Sequence, residues 1–202
     1  MCIRDRLDID VNAVNDVPVA TANTVTTNED TPYTFSAGDF TFTDVESDAL
    51  VSVTITNQSL AGGTLQLSGV TVNNGDTIAA AQIANLVYTP AGNANGAPLA
   101  TFDFTVNDAG LGAVSAQLDI DVNAVNDVPV ASANTVTTNE DTPYTFSAGD
   151  FTFTDVESDA LVSVTISNQS LAGGTLQLSG VTVNNGDTVT AAQIANLSLI
   201  HI

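Results

Sequence analysis

The chain has almost no positive charge. Of its 202 residues, 2 are Lys or Arg and 23 are Asp or Glu, for a formal net charge of −21 at pH 7. Both basic residues, Arg4 and Arg6, fall at the extreme N-terminus beside Met1 and Cys2, the only Met and Cys, and the only histidine is His201. Trp is absent. Each absence removes a class of function. Without paired cysteines, disulfides cannot be the stabilising device. Without His, Lys or Cys in the body of the chain there is no general base, no thiol nucleophile and no cation to hold an oxyanion. Without Lys and Arg, nucleic acid and anionic membrane surfaces are disfavoured partners. No apolar run approaches the length of a membrane span, so direct membrane insertion is not expected. Paired carboxylates could serve a glycosidase, but such enzymes also need an aromatic cleft. The 8 Phe and 3 Tyr mostly fall at alternating positions that suit a core. The composition argues against an enzyme.

What is present is a repeat. Leu7 to Leu86 recurs as Leu118 to Leu197, and only four aligned positions differ: Thr21/Ser132, Thr56/Ser167, Ile78/Val189 and Ala79/Thr190. The period is 111 residues. Neither end of the chain follows the repeat. Met1 to Arg6 matches nothing before Leu118, and Ser198 to Ile202 replaces the Val87-Tyr88-Thr89-Pro90-Ala91 of the first copy. Both tails resemble translated adaptor sequence and are set aside from fold reasoning. The expected organisation is therefore a non-native tail at 1–6, the last strand of a preceding repeat at 7–16, one complete repeat at 17–127, a truncated second repeat at 128–197, and a non-native tail at 198–202. The truncated copy lacks the equivalents of Phe102 to Val106 and Leu118 to Val122, and should expose unpaired edges.

Period-two alternation runs along the repeat. It appears in Tyr33-Thr34-Phe35, Phe40-Thr41-Phe42, Val51/Val53/Ile55, Leu65/Leu67, Val70/Val72, Phe102/Phe104/Val106 and Leu118/Ile120/Val122. With Val17 to Thr27 this gives about seven strands per period, rich in Thr and Val. Asn73-Asn74-Gly75-Asp76 reads as a hairpin turn, and Ala79 to Leu86 as a short helical crossing. The expectation is an all-β chain, an antiparallel β-sandwich of immunoglobulin- or cadherin-like type in tandem repeats. Asp119 and Asp121 face outward on a strand, as charges guarding a sheet edge would.

Three acidic clusters recur in both copies: Asn28-Glu29-Asp30, Asp44-Val45-Glu46-Ser47-Asp48, and Asn15-Asp16-Val17-Pro18. Solvated loop carboxylates and Asx-turns are one reading of them. The other is a hard cation such as Ca²⁺, which takes six to eight oxygens from carboxylates, amides and backbone. In their order these clusters resemble the calcium motifs of cadherin repeats, closest to the bacterial cadherin-like and VCBS-type repeats of large surface adhesins. The resemblance implies Ca²⁺ between consecutive domains, bound by Glu29, Asn126, Asp127, Asp155 and Glu157, with Asp121 as a weaker contributor. The chain departs from that pattern at Ala124 and Val128, so any site is thinner than a full cadherin junction. The implied function is a secreted, cell-surface spacer whose partners are neighbouring repeats and calcium. A module binding matrix polysaccharide or a cell-surface partner, and a metal-independent acidic spacer, stand as alternatives.

Overall fold

The computed structural model describes residues 7–12, 14–108 and 114–200; the 1–6 tail and the end of the C-terminal tail lie outside them. The chain forms two compact units, Met1–Val125 and Asn126–Ile202. In the first unit β1 (Val19–Ala20), β2 (Asn23–Asn28), β3 (Tyr33–Thr34), β4 (Phe42–Thr43), β5 (Ser52–Ser59), β6 (Thr64–Leu67), β7 (Val70–Thr71), β8 (Thr77–Ala79), β9 (Leu86–Thr89), β10 (Gly96–Asn107) and β11 (Ala116–Asn123) follow in order. They build two main sheets, ordered β2-β11-β10-β5-β8 and β3-β9-β6-β7, while β1 pairs with β4. The alternating apolar residues meet between these sheets. Val25, Val53, Ile55, Phe102, Phe104, Leu118 and Ile120 come from one, and Leu65, Leu86 and Tyr88 from the other, all buried. This is an immunoglobulin-like β-sandwich, and the alternation called it: an apolar residue at every second position gives each strand one face to bury.

Several local readings needed correction. The pairing is not wholly antiparallel, because β2 runs parallel to β11 from Asn23↔Leu118 to Asn28↔Asn123. That strand covers β11, so Asp119 and Asp121 sit on an interior strand and guard no edge. Val17 to Thr27 is split between β1 and β2, which belong to different sheets. Phe40 caps a 3-10 turn, Ala37–Asp39, instead of lying in a strand; Ser36 and Asp39 form a reciprocal capping box there. The Asn-Gly turn is not a hairpin. It carries the chain from β7, paired with β6, to β8, paired with β5. Gly75 there has φ +97°, which only glycine adopts freely. Its N–H donates to the Ile55 carbonyl at 2.7 Å, while Asp76 Oδ2 accepts the Asn73 N–H at 2.7 Å. The helical crossing is a 3-10 helix at Ala80–Asn85 that buries Ile83.

The second unit contains β12 (Val130–Ala131), β13 (Tyr144–Thr145), β14 (Phe153–Thr154), β15 (Ser163–Thr165), β16 (Thr175–Leu178), β17 (Val181–Thr182), β18 (Thr188–Thr190) and β19 (Leu197–Ile200). Its sheets are β13-β19-β16-β17, β15-β18 and β12-β14. Its buried core is small: Leu176, Val183, Val189, Ile194 and Leu197. Ser198-Leu199-Ile200, set aside as tail, completes β19 and pairs with Thr175 to Gln177. Ser-Leu-Ile keeps the apolar middle position of Val87-Tyr88-Thr89, so it fits the same ladder.

Candidate metal centre

The acidic loops gather at corresponding places in the two units, and local chemistry explains their form. In Asp44-Val45-Glu46-Ser47-Asp48 the Asp44 Oδ1 accepts the Asp48 N–H at 2.8 Å, an Asx-type closure, with Ser47 at φ +61°. The second unit repeats it: Asp155 Oδ1 accepts the Asp159 N–H at 2.8 Å, with Ser158 at φ +62°. The segment entering each unit meets this loop through its backbone. Glu46 Oε2 accepts the Asp16 N–H, and Glu157 Oε2 accepts the Asp127 N–H, each at 3.1 Å.

In the first unit a further carboxylate joins. Asn15 Nδ2 donates to Asp108 Oδ2 at 2.8 Å, and Asp108 is only 7% exposed. Asp108 follows β10 and has no counterpart in the second copy, so comparing the copies could not find it. Its signal was its place at the end of the Phe102-Phe104-Val106 alternation, where a chain leaving a buried strand reaches the loops. In the 44–48 loop itself, Asp44 Oδ2 is buried and has no hydrogen-bond donor among the described residues. Burying a carboxylate oxygen without a donor is costly, and no Lys or Arg exists in the repeat to offset it.

The six residues expected to bind a metal are placed as follows. Asn126 and Asp127 adjoin, with Asn126 Nδ2 donating to the Asp127 carbonyl at 2.9 Å, and Glu157 receives the Asp127 N–H. Asp155 closes its own loop. Glu29 is only 3% exposed, and its carboxylate accepts the Val125 N–H and Asn95 Nδ2–H, fastening the chain that leaves β11 to the end of β2. Asp121 is half-buried, opposite Thr26 in the ladder. Among the described residues no three acidic, His or Cys side chains stand close enough together to hold an ion as they are arranged.

A tyrosine–carboxylate pair also shapes a turn in each unit. Tyr33 Oη donates to Asp39 Oδ2 at 3.2 Å, and Tyr144 Oη to Asp150 Oδ2 at 3.0 Å. Burial, reinforced by the neighbouring carboxylate, raises both phenols above their usual range. The backbone N–H of Ser147 holds Asp150 below the usual carboxylate range.

The model of the bacterial Ig domain matches residues 15–121, more than half of the chain. The chain belongs to the bacterial Ig domain family. The match runs from the Asn15 loop of the first unit into β11. The comparison with curated proteins finds no match. Among solved structures, this bacterial Ig chain is similar to the crystal structure of murine CEACAM1b, at 12% identity. That likeness covers 92% of this chain and 83% of the other, with a TM-score of 0.26, too low to carry any argument. No helix among the described residues is long and apolar enough to cross a membrane.

Proposed function

We propose that the chain is a non-catalytic structural spacer from a repetitive bacterial surface protein, stiffened by Ca²⁺ at the acidic ends of its Ig units. The near-identical recurrence of 7–86 as 118–197 supports the spacer role: identical modules add length without adding chemistry. The buried, donor-less Asp44 Oδ2 carries the calcium reading. It leaves a hard oxygen without a hydrogen-bond donor in the loop whose Glu46 accepts the Asp16 N–H, and Asn15 there binds Asp108, so carboxylate and amide oxygens of the kinds Ca²⁺ takes belong to one connected set. Those residues would hold the ion in the first unit; Asn126, Asp127, Asp155 and Glu157 would do so in the second. Binding would draw the carboxylates together from their ion-free separation, so loading and ordering of the loops are one event. The setting is extracellular, where free Ca²⁺ is high enough for such sites and where surface spacers work.

The test is a thermal melt of the chain in EDTA and during CaCl₂ titration at constant ionic strength. Free ion at ten times Kd should contribute about 1.4 kcal/mol per site, a Tm rise of roughly 5–6 °C for a unit of this size. Asp44→Asn should remove most of the rise in the first unit. Because the ligands must be ionised, the calcium effect should fade on acidification toward their pKa values. A rise no larger than matched NaCl produces would leave a metal-independent acidic spacer.

A further inference from the structure

Asn-Gly occurs at 74–75, 95–96 and 185–186. The pair is chemically weak. Glycine carries no side chain to shield its own amide nitrogen, and its backbone turns freely, so that nitrogen can reach the side-chain carbonyl carbon of the preceding asparagine. Whether it does so depends on what holds the two groups. At 74–75 both are tied: the Gly75 N–H donates to the Ile55 carbonyl at 2.7 Å, and Asn74 Oδ1 accepts the Gln58 N–H at 3.0 Å. The same two bonds recur at 185–186. Gly186 N–H donates to the Ile166 carbonyl at 2.8 Å, and Asn185 Oδ1 accepts the Gln169 N–H at 2.9 Å. In each case nucleophile and electrophile are anchored to backbone outside the turn.

Asn95 is held differently. It is exposed, directly before the first residue of β10. Among the described residues its side chain is held through its amide nitrogen alone, which donates to Glu29 Oε2 at 3.3 Å. No backbone N–H fixes its carbonyl oxygen as at Asn74 and Asn185. Gly96 stands opposite Val122, and the register shifts between Gly96 and Ala100, so the ladder is irregular where this pair joins it. The carboxylate facing Asn95 is the buried one that also accepts the Val125 N–H.

We propose that Asn95 is a site of spontaneous deamidation, and that its conversion loosens the fastening of the chain leaving β11. The Gly96 nitrogen gives its proton to water or hydroxide and attacks Asn95 Cγ. The bond from Cγ to Nδ2 breaks, and Nδ2 leaves as ammonia after taking a proton from water. The cyclic succinimide then adds water and opens at one carbonyl to aspartate or at the other to isoaspartate. Water is consumed, ammonia is released, and nothing is oxidised or reduced. The product sets a carboxylate where Glu29 had a donor. Two like charges at that distance, one of them buried, oppose each other's ionisation, and no Lys or Arg lies in the repeat to offset them. The disturbance falls on the carboxylate that holds the Val125 N–H. Isoaspartate also adds a backbone carbon where β10 enters its ladder.

The experiment keeps the 202-residue chain in mildly alkaline buffer and follows each Asn-Gly pair by peptide mass mapping, with isoaspartate identified by fragmentation. Conversion at Asn95 should run roughly tenfold or more ahead of Asn74 and Asn185, a ratio equal to about 1.4 kcal/mol of barrier. Gly96→Ala, whose added carbon meets Leu99 at an ordinary 3.5 Å, should fold and slow it. Asn95→Asp carries the product from the start, and should lower the melting temperature and speed hydrogen exchange at the Val125 amide. Adding Glu29→Gln to Asn95→Asp should recover part of that loss, because the charge pair is gone while the glutamine oxygen can still accept the Val125 N–H. Asn74 or Asn185 converting as fast as Asn95, or no conversion at Asn95, would overturn the site. An Asn95→Asp chain with unchanged melting and unchanged Val125 exchange, or one that Glu29→Gln does not rescue, would overturn the loosening.

Discussion

The two units are the same sequence under different cover. Asn23–Asn28 is a strand in one, and the identical Asn134 to Asn139 has no regular structure in the other. β5 runs for 8 residues while its counterpart β15 keeps 3. Phe40 lies against Phe104 at 5.2 Å between ring centres, in an edge-to-face contact, whereas Phe151 keeps only the packing it finds on its own side of the core, Phe146 at 5.7 Å. Local sequence therefore decides which residues could pair, and the presence of β10 and β11 decides whether they do. Strand propensity here is the ability to fit a half-buried surface, not a property of the hexapeptide.

The largest test of that contrast is a matched pair in the core. Phe40→Ala should cost about 3–5 kcal/mol, because it leaves a cavity under β10. Phe151→Ala, the same change in the same local sequence, should cost less, about 1–2 kcal/mol, since that ring is only partly buried against the smaller core. Urea melts followed by hydrogen exchange in each unit would read both. Equal costs would mean that the covering strands do not set the difference.

A second pair concerns the carboxylate at the end of β2. Glu29→Ala strands the Val125 N–H without its acceptor and should cost about 1–3 kcal/mol. Glu140 is exposed, so Glu140→Ala should stay within about 0.5 kcal/mol. Chemical denaturation of the two single variants would separate them; a neutral Glu29→Ala would remove the fastening role.

The smallest effect is in pH. Burial raises the Tyr88 phenol above its usual value of 10, and its Oη donates to the Leu60 carbonyl at 3.2 Å. A phenol whose folded pKa is raised contributes fully below pH 10 and loses that contribution as pH climbs through the folded value. The first unit should therefore weaken from pH 10 upward, and less so in Tyr88→Phe. The second unit has Leu199 at that place and keeps only the Tyr144 contribution. Melts at pH 8, 10 and 11 would check this; an equal alkaline loss in Tyr88→Phe would assign the effect elsewhere.

Much of this fold was legible in the chain. Phe102, Phe104, Val106, Leu118, Ile120 and Val122 alternate in the sequence and are all buried. What alternation cannot supply is the neighbour. It does not say that β2 lies parallel on β11, and so Asp119 and Asp121 looked like edge guards. It does not distinguish a turn that folds a strand back from one that moves it to the facing sheet, as at Gly75. The acidic loops were legible as loops, and their Asx closures follow from Asp spacing. Asp108 escaped because it depends on a loop that has no second copy. The burial of Glu29 escaped because an acidic residue after a strand usually faces solvent.

The parallel pairing of β2 with β11 has a consequence for load. The chain enters β2 at Asn23 and leaves β11 at Asn123, and these residues lie at opposite ends of the same ladder. Tension between them pulls the two strands along their own axes in opposite directions, so the ladder's hydrogen bonds share the force and must yield together instead of opening one at a time like a zipper. An antiparallel pair joined at one end would peel. Under such a load the β2–β11 pair of the first unit is a shear clamp, and Ile120 and Val25, opposite each other in its ladder, are both buried in the core.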